Sequence, residues 1–167
     1  YTGAWLLAAR ILTFDYLWGE VRVKGGAYGT GFQAARAGSC RFYSYRDPRI
    51  DETRARFIEA GSWLAGAFDP TEAEMDGYVV SAAASMDAPE KARALLRRQD
   101  GMFFAGYDIA DRARVRGEVV AAGVDAVRDL GPAVDAIARA DCTCVFGNRE
   151  IIEASSGGLT VIDLLNE

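Results

Sequence analysis

Arg22 and Tyr28 are the residues best placed to do chemistry in this chain. They flank a glycine pair in Arg22-Val23-Lys24-Gly25-Gly26-Ala27-Tyr28-Gly29. A guanidinium presents its donors in a fixed fork that suits carboxylates and peptide carbonyls. A phenol can donate a hydrogen bond to an oxygen that gains negative charge during a reaction. Each residue also has a plainer reading, Arg22 as half of a structural ion pair and Tyr28 as a half-buried strand aromatic. The residues alone leave these alternatives open. The glycines do not form a phosphate cradle, which needs a strand, then glycines, then a helix. Here an apolar helical stretch comes first, a strand follows, and no Gly-Lys-Ser/Thr is present. A second polar cluster, Ser44-Tyr45-Arg46-Asp47-Pro48, closes another strand-like stretch, and its Arg46 and Asp47 read as a salt-bridged turn.

Composition narrows the chemistry further. The 167 residues contain no histidine. That excludes a Ser-His-Asp triad, a Cys-His pair and any zinc site with a histidine ligand. The three cysteines, Cys40, Cys142 and Cys144, are too few and too odd in number for a disulfide framework. They are expected to be free and buried, in a reducing compartment. The acidic carboxylates around Asp47, Asp51 and Glu52 lack the pattern of a metal loop, so no metal ligand is assigned. A net charge of −5 argues against a phosphate-driven nucleic-acid binder. No apolar run reaches the ~20 residues of a membrane span, and the start shows no basic, signal-like region. A start at Tyr1-Thr2-Gly3 suggests a piece of a longer polypeptide. The expected compartment is the bacterial cytoplasm, with an organellar matrix as the other choice.

Elements must then hold Arg22 and Tyr28 in place. Residues 4–22 read as a helix with two apolar stripes, Trp5, Ala9, Leu12, Tyr16 and Leu7, Ile11, Phe14, Trp18. Two stripes predict burial around most of the circumference. Gly25-Gly26 is the stop. Residues 27–36 and 39–46 read as an antiparallel hairpin turning at Ala37-Gly38, with Tyr28, Thr30, Phe32 and Ala34 on one face. Asp51 is the expected cap of a helix carrying Phe57, Ile58, Gly61 and Leu64. Thr71 and Glu74 form a capping box for a helix ending near Asp87. Pro89 is expected in the first turn of a helix through Phe104, Asp108 caps one over 109–121, and Gly131-Pro132 opens one to about Ala140. Cys142 to Phe146 reads as a late strand, residues 148–150 as the start of a short helix, and Leu159 to Leu165 as a last apolar segment. The fold class is therefore α+β, a single domain over 1–167 with an antiparallel or mixed sheet and several helices packed on one face. The sheet is thin for so many helices, so strands are expected to be missing.

Three blocks carry a resemblance: Tyr16-Leu17-Trp18, then Val21-Arg22-Val23-Lys24-Gly25-Gly26-Ala27-Tyr28-Gly29, then Tyr43-Ser44-Tyr45-Arg46-Asp47-Pro48. In order and spacing the chain resembles the last domain of the presequence-protease branch of the pitrilysin/insulinase metallopeptidases. The resemblance extends less distinctly to the region of Val145. It implies a fold of four similar α+β domains, arranged as two halves that close like a clamshell around an unfolded peptide. It implies a zinc in the first domain, on an inverted His-x-x-Glu-His motif with a further glutamate. The last domain holds no metal and no cofactor of its own. By the same resemblance, Arg22 holds a substrate backbone carbonyl, and Tyr28 hydrogen-bonds the scissile carbonyl or the oxyanion it becomes.

The expected partners are the N-terminal catalytic half of the same polypeptide and a peptide substrate, without nucleic acid or membrane. Without histidine the chain alone is expected to be inert as a peptidase. A bared sheet edge invites pairing with a second copy. A non-catalytic structural or chaperone-like subunit of the same fold is the alternative. A stand-alone small-molecule enzyme is a third reading, and it requires a closed pocket around Arg22 and Tyr28.

Overall fold

The computed structural model describes residues 1–140 and 142–163. The chain opens with a helix in two windings. Helix α1, Gly3–Ile11, is α-helical, and Leu12–Lys24 continues it as a π-helix. In π winding the N–H bonds five residues back instead of four, which widens each turn. The buried face therefore follows Leu7, Leu12, Tyr16 (7% exposed), Leu17 and Val21. This corrects the second predicted stripe. Leu7 and Ile11 are buried, but Phe14 is 55% exposed and Trp18 39%. Both lie beyond the point where the α-helical repeat stops applying.

The hairpin forms as expected. Strand β1, Gly29–Ala34, pairs antiparallel with β2, Cys40–Tyr45, with Gly29 opposite Tyr45 and Ala34 opposite Cys40. Gly38 is left-handed (φ 90°) in the turn, and its N–H reaches the Ala35 carbonyl at 2.9 Å. One face of the hairpin supplies core: Thr30 and Phe32 are buried, and Phe32 lies 4.7 Å from Phe42, which stacks at 5.0 Å on Phe57. The outer edge of β1 is taken at Phe32 by the Thr13 hydroxyl, which accepts from the backbone N–H at 3.1 Å. The outer edge of β2 receives no backbone hydrogen bond from another element among the described residues.

Helices supply the rest: α2 Ile50–Gly66, α3 Glu72–Asp87, α4 Ala92–Phe104, α5 Ile109–Ala121, α6 Val124–Arg128, α7 Gly131–Ala138 and α8 Arg149–Glu153. The architecture is α+β, mostly helical, with one small antiparallel sheet among the described residues. Reciprocal capping boxes start α3 at Thr71/Glu74 and α5 at Asp108/Asp111. Helix α4 starts after Lys91, so Pro89 precedes the helix instead of joining its first turn. Helix α6 was not expected after Gly123, yet Val127 is fully buried there. Helices α2 and α7 cross closely at Gly61, where a Cβ would come within 2.5 Å of the Gly131 carbonyl.

Three further expectations change. Asp51 is not the cap of α2. It lies inside the first turn and accepts hydrogen bonds from the Ser155 hydroxyl and from the Ser156 backbone and hydroxyl, the backbone bond at 2.7 Å. These donors hold its carboxyl below the usual aspartate range. Residues Cys142 to Phe146 form no strand, and Phe146 is 91% exposed. Cys142 and Cys144 are free but exposed, so neither is a core cysteine, while free Cys40 is half-buried and packs against the core. Residues 159–163 of the last apolar segment have no regular structure, and its remainder lies outside the described residues.

Candidate functional site

Local backbone chemistry sets the site. The π segment ends where Gly25 and Gly26 stand, and each glycine is required for a different reason. A Cβ on Gly25 would sit 2.4 Å from the Val21 carbonyl oxygen. Gly26 is left-handed at φ 88°, a conformation costly for a residue with a side chain. The Gly26 N–H bonds the Arg22 carbonyl at 3.0 Å, and the Ala27 N–H reaches the Val21 carbonyl at 3.2 Å. This stop resembles a Schellman motif widened by one residue, as the preceding π winding requires. Ala27 is buried, and the chain leaves it directly into β1.

That junction brings the two candidates together. The Arg22 Nε donates to the Tyr28 backbone carbonyl at 3.0 Å. The Arg22 guanidinium carbon also lies over Trp18, 3.8 Å from the ring centroid. It makes no ion pair among the described residues, so the structural ion-pair reading is not what the structure shows. One of its five N–H groups is used by Tyr28, and the remaining donors have no partner within the described chain. Tyr28 is 67% exposed, outside the face formed by Thr30 and Phe32. Its backbone N–H pairs with the Tyr45 carbonyl at 3.0 Å, and its ring meets Tyr45 edge-on at 6.0 Å and 80°. The half-buried strand aromatic is therefore also set aside.

Arg46 completes the group, and sequence reasoning missed it. Its guanidinium carbon lies 5.8 Å from the Tyr28 ring and 5.4 Å from the Tyr45 ring. Its expected partner faces elsewhere: Asp47 accepts from the Arg49 N–H at 2.9 Å and from the buried Thr53 hydroxyl at 2.6 Å. Asp47 therefore works as the anchor of α2, and the predicted Arg46–Asp47 salt bridge is absent. Trp18 was missed as well, although its i,i+4 spacing to Arg22 is the signal for a stacked cation on a helix.

Exposed Phe14, Trp18, Tyr28, Tyr45 and Arg46, with half-buried Arg22 among them, make an aromatic and cationic surface. Phe14 leads into it, 6.1 Å from Trp18. Two recesses form away from Arg22 and Tyr28, the first sharing Phe14 with this surface. One sits between α1 and α3 around Arg10, Phe14 and Tyr78, the other between α2 and α8 around Asp51 and Ser155. Neither includes Arg22 or Tyr28, which counts against a closed small-molecule active site. In the first recess burial, then the acceptor Asp15, pushes the Tyr78 phenol well above its ordinary value. No group of His, Cys, Asp or Glu among the described residues could hold a metal ion. No helix there is long and apolar enough to cross a membrane.

This is an α+β domain whose exposed donors sit on a helix-to-hairpin junction, and it belongs to the PreP C-terminal domain family, whose model matches residues 2–143. The resemblance to the presequence-protease branch is thereby met. Among curated relatives, Protein HypA of Clostridium perfringens is 33% identical over 153 residues, covering 92% of this chain and 16% of that protein. The mitochondrial presequence protease of Gibberella zeae is 30% identical over 147 residues, covering 84% of this chain and 14% of that protein. That of Xenopus tropicalis is 40% identical over 84 residues, covering 50% and 8%. The chain thus spans at most 16% of the length of these relatives.

Proposed function

We propose that this chain is the C-terminal, substrate-facing domain of a zinc-dependent peptidase that degrades unfolded peptides. The observation that carries the reading is a coupled pair at the surface: half-buried Arg22 donates to the Tyr28 carbonyl, and the Tyr28 side chain is exposed. An open face needs an opposing wall to exclude water. The reading supplies one, the N-terminal half of the same polypeptide closing as a clamshell over 1–167 as a single domain. Zinc does not fit this chain, which lacks histidine and any metal-holding cluster among its described residues. The metal of such an enzyme belongs to the remainder of the polypeptide, and this domain takes no step on it.

The domain's own role is to bind and polarise. The free donors of Arg22 take a backbone carbonyl of the peptide. The Tyr28 hydroxyl donates to the scissile carbonyl and strengthens that bond as negative charge grows on the oxygen. Backbone contacts ignore side chains, which suits a broad range of unfolded peptides. The unpaired edge of β2 is completed by strands from elsewhere in the polypeptide, and a second copy is the competing occupant. The proposed compartment is a bacterial cytoplasm or an organellar matrix, a choice supported by one bacterial relative and by others named mitochondrial.

The test is Tyr28→Phe in the full-length peptidase. Loss of one such donor is expected to lower kcat by about 10²–10³-fold with KM nearly unchanged. A rise in KM alone would remove the oxyanion role. Absence of a His-x-x-Glu-His motif from the rest of the polypeptide would favour the non-catalytic subunit.

A further inference from the structure

We infer that Arg46 is a positioning residue for the Tyr28 phenol, an inference that rests on the proposed function. Arg46 is the one non-glycine residue with positive φ (48°) among the described residues. Such a backbone is held only when its surroundings over-determine it, and it often marks a functional site. Here the constraint is visible. On the C-terminal side, Asp47 is fastened to the buried Thr53 hydroxyl and to the Arg49 N–H. On the N-terminal side, the Tyr45 carbonyl is fastened to the Tyr28 N–H. Between these two anchors the left-handed turn delivers the guanidinium to the Tyr28 and Tyr45 rings together.

The charge stays on that side because the adjacent carboxylate is committed to α2, and Arg46 makes no ion pair among the described residues. A cation near the ring faces attracts their negative quadrupole and favours one ring orientation. Among the described residues Tyr28 is otherwise held by its backbone and the edge contact with Tyr45. Arg46 therefore restricts where the phenol hydroxyl points, without itself touching substrate.

Arg46→Gly separates this role from a structural one, because glycine accepts the left-handed backbone that arginine holds under constraint. In the full-length peptidase, Arg46→Gly is expected to leave the thermal midpoint unchanged or raised and to lower kcat about three- to tenfold, with KM little changed. Arg46→Lys, which keeps the charge but loses the planar face, should recover part of that loss. In a Tyr28→Phe background Arg46→Gly should have no further effect on kcat, since the hydroxyl it orients is gone. An unchanged kcat in Arg46→Gly, or the same fold-loss with and without the Tyr28 hydroxyl, overturns the inference. If Tyr28→Phe leaves kcat intact, the proposed function fails instead. In the isolated chain, the Tyr28 ring proton shifts should move on Arg46→Gly. Unmoved shifts also overturn the inference.

Discussion

The two windings of the first helix do different work. Gly3–Ile11, wound as an α-helix, buries Leu7, Ala8 and Ile11 completely and presents only half-buried groups such as Trp5 and Leu6 beside them. Leu12–Lys24, wound as a π-helix, also buries Leu12, Tyr16, Leu17 and Val21, yet turns Phe14 and Trp18 outward, with half-buried Arg22 over Trp18. The wider turn lets one continuous helix be core on one side and a binding surface on the other. It also changes the terminus, because the Val21 carbonyl must be met by Ala27 across both glycines, which aims Tyr28 back at Arg22. π turns are uncommon and recur at functional sites, and here the departure from α geometry coincides with the candidate residues.

The largest expected effect separates the two faces of the π segment. Leu17→Ala removes a fully buried side chain and should destabilise by about 2–5 kcal/mol. Phe14→Ala, on the exposed face of the same segment, should change stability by less than about 0.5 kcal/mol. Urea unfolding of the two variants checks this. Comparable losses would mean that the exposed row is packed like the core, and the contrast between faces would be gone.

That contrast is also where the sequence misleads. Reading 3.6-residue periodicity through residue 22 puts Phe14 and Trp18 on a buried stripe, because nothing in the residue types announces the change of winding. The stop itself was legible, since two adjacent glycines after an apolar helix have few other uses, and so was the proximity of Arg22 and Tyr28 across it. The capping box at Thr71 and the cap at Asp108 were legible for the same reason: donor and acceptor lie within three residues and need no tertiary context, although the return bond from Asp111 was not foreseen. The failures depend on distant partners. Cys142 to Phe146 has strand-like residues but no strand beside it among the described residues, and β propensity without a partner forms nothing. Asp51 looks like a cap until Ser155 and Ser156 arrive from more than a hundred residues away. Arg46 depends on the Asp47–Thr53 bond and on a backbone conformation that arginine rarely adopts.

A smaller effect tests the stop. Gly25→Ala adds a Cβ 2.4 Å from the Val21 carbonyl oxygen, a backbone atom that cannot swing aside. The cost is expected at about 1–3 kcal/mol, as for other forced overpacking. It should also weaken the Arg22–Tyr28 contact, because Gly25 sits between them. Trp18 beneath the guanidinium reports this through its own indole N–H resonance, distinct from those of Trp5 and Trp63: it should shift in Gly25→Ala and in Arg22→Ala, but not in Gly61→Ala, which strains the α2–α7 crossing beside Trp63. A Trp18 shift in the Gly61 variant alone would sever the stop from the site.

The smallest effect concerns Gly19, in the middle of the π segment beside Trp18. A Cβ there meets nothing within 4 Å, and its backbone is not left-handed. By helix propensity the position favours alanine, so Gly19→Ala should stabilise the chain by about 0.5–1 kcal/mol. For a domain of this size that raises the melting temperature by about 1–4 °C, readable by calorimetry. The propensity argument was established on α-helices. If Gly19→Ala instead lowers the melting temperature, the π winding itself needs glycine at this point, and Leu12–Lys24 is held in its wide turns against local preference. A raised melting temperature means instead that tertiary burial of Leu12, Tyr16, Leu17 and Val21 is enough to impose the π geometry. The outward face carrying Trp18 and Arg22 then follows from how the core is filled.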